Sequence, residues 1–221
     1  METRSMVPEW SVGVRITHWA MVITILLLTV TGFYIAKPFT IYVGETTHKF
    51  LMGNMRLIHI FSGVLLIVVF ILRRFFAYFP GHPGIKDFLS WTDWRNTIRQ
   101  IKFYLLISRE RPEHRLKYGP LQSVAYNGCI VMLLLIILTG ILLTGADCHG
   151  YFISKIYFLL KPVEMLMGGL AQVRFIHHLL TWGFILFGAV HIYMAFWYDA
   201  VFQEGTVSSM IGGKAFKRTH E

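Results

Sequence analysis

The stretch from Leu121 to Ala146 contains no Asp, Glu, Lys or Arg. An uncharged run of this length fits the hydrocarbon core of a bilayer, which takes roughly 20 mainly apolar residues to cross. Three further segments are of the same kind, at about 16–36, 54–79 and 173–198. The second carries Arg56 near one edge and Arg73-Arg74 near the other, where long side chains can snorkel to the interface. Lipid offers the backbone no hydrogen-bond partner, so each span is expected to be a helix. Composition points the same way. Hydrophobic residues are 55% of the chain and charged residues 15%, whereas a soluble domain carries about 25% charged residues. With 18 Phe, 10 Tyr and 6 Trp, disorder is excluded as well. The expected fold class is all-α integral membrane: a four-transmembrane-helix bundle, residues 1–221 forming a single membrane domain.

A net charge of +9 would raise nucleic-acid binding in a soluble protein. Here the basic residues flank apolar runs, so the positive-inside rule is the simpler reading and no nucleic-acid partner is expected. Four spans place both termini and the 80–120 loop on one side. Counting from Arg73, that side holds 15 Lys and Arg against six on the other, which predicts cytoplasmic N- and C-termini. Within the inner loop, Phe88–Ile107 could lie on the membrane surface as a helix. No cleavable leader is expected in residues 1–14, where Glu2, Arg4, Pro8 and Glu9 precede the apolar residues. No internal repeat is evident. Cys129 and Cys148 offer no disulfide framework, and the absence of CxxCH removes covalent c-type haem attachment.

Of ten histidines, His48, His82, His114, His149 and His220 fall in loops or the tail and read as surface residues. His18, His59, His177, His178 and His191 fall in the spans, where an ionisable residue is a functional candidate. Helical phase sorts them. Fourteen steps of about 100° leave His177 and His191 only about 40° apart, while His178 and His191 differ by roughly 140°. His178 is therefore read as a polar contact and not as a ligand. A rise of about 1.5 Å per residue separates His177 from His191 by roughly 21 Å in depth. Level by level, His59 pairs with His177 on the outer side and His18 with His191 on the inner side. Two stacked bis-histidine sites suit haem iron in axial coordination, since zinc would want further ligands that the spans lack. Gly63 and Gly188, near these faces, would leave room for a flat ring, although glycine is also common in ordinary membrane packing. Arg15 and Arg56 each precede a candidate ligand by three residues and serve equally as haem propionate contacts or as topology anchors.

At Val14-Arg15-Ile16-Thr17-His18-Trp19, Gly44-Glu45, Met52-Gly53, Arg56-Leu57-Ile58-His59 and Thr206-Val207-Ser208-Ser209-Met210, the chain resembles the b-type cytochrome subunit of membrane-bound nickel–iron uptake hydrogenases. The resemblance covers nearly the whole chain. It implies two non-covalent b haems in a bacterial inner membrane. The implied partners are the hydrogenase small (iron–sulfur) and large (nickel–iron) subunits, with menaquinone or ubiquinone as electron acceptor. The chain would then be an electron-transfer subunit, and quinone could be reduced on it. Relatives often carry an Asn before span three where this chain has Gly119. Tyr118, Gln122 and the edge of the His191 ring are the remaining candidates for quinone contacts, beside the plainer reading of a loop that caps the span. The histidine framework alone is shared with the corresponding subunit of formate dehydrogenases. A histidine-lined metal transporter or a plain membrane anchor is the remoter alternative, with the lack of acidic residues in the spans against a transporter.

Overall fold

The computed structural model describes residues 4–38, 50–78, 93–108, 119–147 and 150–218. In chain order the elements are β1 (Arg4–Pro8), α1 (Val12–Ala36), α2 (Leu51–Tyr78), α3 (Trp94–Tyr104), α4 (Pro120–Asp147), α5 (Tyr151–Leu166), α6 (Leu170–Phe202), α7 (Thr206–Gly212) and β2 (Lys214–Arg218). Helices α1, α2, α4 and α6 are long and apolar enough to cross a membrane. Helix α6 outruns the expected 173–198 at both ends, because hydropathy marks the lipid-buried stretch whereas backbone hydrogen bonding continues into polar flanks. Helix α3 lies inside the expected surface stretch, whose residues 88–92 fall outside the described residues.

Two features depart from an all-α bundle with plain loops. Helix α5 occupies the connection between α4 and α6. Strands β1 and β2 pair antiparallel, Arg4 opposite Arg218 and Pro8 opposite Lys214, so the two ends of the described chain meet. Hydropathy cannot register a pairing between short polar strands at opposite ends of a sequence.

The spans bury small polar residues and expose large apolar ones. Thr17, Thr24 and Thr31 on α1, Ser62 on α2 and Thr139 on α4 are all buried. The three threonines of α1 recur every seven residues, a repeat that drifts by only about 20° per step and so keeps one face. Their hydroxyls need no water: Thr24 donates to the Ala20 carbonyl at 2.6 Å and Thr31 to that of Leu27 at 2.6 Å. Outward, Leu26, Val30, Phe61 and Ile71 are each 60–69% exposed. That distribution suits a lipid surround, in which helices associate through small and hydroxyl-bearing residues.

The chain forms two compact units. One comprises Met1–Arg15, Phe75–Leu135 and Trp182–Glu221, the other Ile16–Arg74 and Ile136–Thr181. In the first, Gly213 closes α7 with φ 82° and its carbonyl accepts from the Glu9 and Trp10 amides. A side chain at Gly213 would lie 3.1 Å from the Trp10 carbonyl oxygen and from the Arg15 guanidinium carbon, so strain and crowding both demand glycine. Arg15 Nη1 donates to the Ile211 carbonyl. Asp93 caps α3 by accepting from the Asn96 amide, and the buried Gln100 accepts from the Leu121 amide at 2.9 Å. One turn on, Phe103 stacks on Phe202 with ring centroids 5.7 Å apart. Helix α3 is thus tied to the start of α4 and the end of α6.

In the second unit, α5 leans on α4 through Tyr157, which sits against Gly145 so closely that an added Cβ would come within 2.8 Å. Tyr157 donates to the buried Glu164 carboxylate at 2.6 Å, and Lys161 lies 3.4 Å from the same carboxylate. Gly168 and Gly169, at φ 93° and 88°, turn the chain from α5 into α6.

Removing the Gln100 acceptor leaves the Leu121 amide, one of the orphan donors at a helix start, without its partner. Gln100→Ala should lower stability by about 1–3 kcal/mol. Thermal unfolding in detergent should show this loss, while alanine at the neighbouring exposed Arg99 should change stability by no more than about 0.5 kcal/mol.

Candidate functional site

His59 on α2 and His177 on α6 face each other, their ring centroids 6.4 Å apart and their planes inclined at 65°. Each ring rests on a Thr-Gly pair of another helix. Thr31 Oγ1 of α1 is 2.8 Å from His59 Nδ1, and Thr139 Oγ1 of α4 is 2.8 Å from His177 Nδ1. The adjoining glycines supply the close approach. A Cβ at Gly32 would stand 3.2 Å from His59 Cε1, and one at Gly140 3.5 Å from His177 Cε1. The same arrangement therefore occurs twice, with 28 residues between threonine and histidine in one copy and 38 in the other. The α4–α6 connection that carries α5 accounts for the longer interval.

The spacing of the two rings is informative. Two metal–imidazole bonds of about 2.0 Å, with about 1.1 Å from each nitrogen to its ring centre, place such centroids roughly 6.2 Å apart. The observed 6.4 Å matches two imidazoles sharing one metal ion from opposite sides. Among the described residues no group of three or more His, Cys, Asp or Glu gathers to hold a metal. A pair of axial imidazoles needs none, provided that a macrocycle supplies the remaining donors, as in a haem. At Gly63, one turn from His59, an added Cβ would meet no atom within 4 Å, so protein does not fill the room a flat ring would use. These residues fit the group.

The remaining sequence candidates are placed as follows. His178 lies against Phe33, centroids 5.5 Å apart. His18 contacts Trp19 edge-on at 5.3 Å, and His191 stacks on Phe187 at 5.7 Å with planes 12° apart. His18 and His191 belong to different units. Arg15 is engaged by the Ile211 carbonyl, and Arg56 is exposed. Gln122 Oε1 accepts from the Gly119 amide at 3.1 Å, a helix-capping contact. Tyr118 lies outside the described residues, as do His48, His82, His114, His149 and His220. Sequence reasoning passed over Thr31, Gly32, Thr139 and Gly140. Their signal was a Thr-Gly dipeptide inside an apolar helix, one for each histidine.

A family profile described as prokaryotic cytochrome b561 matches residues 9–213. The chain is 28% identical to a probable Ni/Fe-hydrogenase 1 B-type cytochrome subunit of Escherichia coli K12, over 90% of this chain and 86% of that one. It is 30% identical to a probable Ni/Fe-hydrogenase B-type cytochrome subunit of Rhizobium leguminosarum bv. viciae, over 99% and 92%. A subunit of the same description from Bradyrhizobium diazoefficiens is 29% identical over 96% and 86%.

The two glycines should respond differently to a methyl group. Gly32→Ala forces the His59 ring to give way and should weaken retention of a group bound there, read as lost visible absorbance after purification. Gly140→Ala meets an ordinary contact distance and should leave that absorbance unchanged.

Proposed function

The chain belongs to the prokaryotic cytochrome b561 family, and from that premise we propose that it is the di-haem b-type cytochrome subunit of a membrane-bound nickel–iron hydrogenase. As one membrane domain, it passes electrons from the iron–sulfur clusters of a periplasmic enzyme to the membrane quinone pool. The facing pair His59 and His177 carries this reading. The relatives from three bacteria, described as hydrogenase subunits, favour hydrogenase as the partner over formate dehydrogenase.

When bound, haem would supply reversible one-electron chemistry. His59 and His177 hold the outer group, and His18 and His191 the inner one. The apolar walls of the spans keep water from the metal and so govern its potential. Arg15, held in place at the start of α1, and Arg56 are the cations for haem propionates. Gln122 keeps its amide nitrogen for a quinone oxygen while its Oε1 caps α4, and Tyr118 is the second candidate there. The β1–β2 pairing supports both ends lying on one side of the membrane. The 15-to-six excess of Lys and Arg makes that side the cytoplasm, in a bacterial inner membrane.

A reduced-minus-oxidised visible spectrum of the purified protein, with a haem count, tests the proposal. Two b haems per chain are expected; a colourless protein, or one holding zinc, would sink it. His59→Ala or His177→Ala should remove one haem, and His18→Ala or His191→Ala the other. His178→Ala should keep both. Co-purification of a molybdenum or tungsten enzyme, in place of a nickel–iron one, would overturn the partner.

A further inference from the structure

A threonine hydroxyl has one proton to donate and lone pairs to accept with. At both Thr-Gly pairs that proton is already used. Thr31 Oγ1 is 2.6 Å from the Leu27 carbonyl oxygen and Thr139 Oγ1 is 3.1 Å from that of Ile136, and a carbonyl oxygen can only accept. The ring nitrogen 2.8 Å from each hydroxyl oxygen is therefore the donor, so Nδ1 carries the hydrogen of the neutral imidazole. With the hydrogen on Nδ1, the Nε2 lone pair of each ring is left for a metal. Thr31 is 4% exposed and Thr139 0%, so water cannot substitute for either hydroxyl.

We propose that Thr31 and Thr139 are positioning residues that accept the Nδ1–H of His59 and His177, fixing each ring's tautomer and tilt and setting the reduction potential of the iron between them. The inference rests on the haem reading of this pair. A hydrogen bond from Nδ1–H makes the opposite nitrogen a more basic ligand. A more basic ligand favours ferric over ferrous iron, so the threonines hold the potential of this haem down. They also hold the 65° angle between the two ring planes, and that angle governs the anisotropy of the electron paramagnetic resonance signal of oxidised low-spin iron.

The experiment compares Thr31→Val and Thr139→Val with Thr31→Ser and Thr139→Ser in the purified full-length protein. Redox titration followed by visible absorbance and electron paramagnetic resonance of the oxidised protein are the readouts. The valine variants should move the potential of one haem upward, change its resonance, and weaken its retention by about 10–100-fold. The other haem serves as internal reference and should not move. Serine should restore wild-type values. Valine variants with wild-type potential and resonance would overturn the proposal, as would serine variants shifted as far as valine. If valine expels the haem altogether, serine decides: retention supports the role of the hydroxyl and loss refutes it. A wild-type protein with no haem on His59 and His177 would instead overturn the underlying reading, before any threonine is replaced.

Discussion

Taking an imidazole out of water leaves an N–H and a lone pair in need of partners, and each unmet polar group costs roughly 2–7 kcal/mol in an apolar surround. Within the unit that holds His59 and His177, helix packing is organised around meeting that need twice. Each ring turns Nδ1 to a threonine of another helix, and the two ring centroids lie 6.4 Å apart. Beside Thr31 the neighbour is Gly32, which lets bare backbone sit against the edge of the His59 ring where a Cβ would stand at 3.2 Å. Each threonine in turn gives its own proton to its helix, so the hydroxyl and the ring N–H are both met within the protein. Large apolar side chains such as Leu66 and Leu142 fill the remaining interior, while others such as Leu26, Val30, Phe61 and Ile71 face outward.

The membrane helices were legible because hydropathy summed over about 20 residues is a strong, local signal. The step of about 100° from one residue to the next separates His177, which meets His59, from His178, which meets Phe33. What escaped were features that depend on pairing between distant segments. Strands β1 and β2 are short and polar, and neither reads as a strand without the other. Helix α5 shows itself only once Tyr157, Lys161 and Glu164 come together on one face of a helix. The repeated Thr-Gly and histidine arrangement escaped because the two intervals differ, 28 residues against 38. The dipeptide alone would not have sufficed: Thr144-Gly145 is a third copy, and its glycine meets Tyr157 and no histidine.

The terminal ribbon has a consequence for biogenesis. Arg15 binds a carbonyl 196 residues further along the chain, and β1 pairs with β2. Ribosomes release the amino end first, so β1 is made before the membrane helices α1, α2, α4 and α6 that separate it from β2. A chain that lacks β2 leaves β1 without the strand it pairs with. The ribbon thus couples two segments that the sequence keeps far apart, so that neither strand is formed until both are in place.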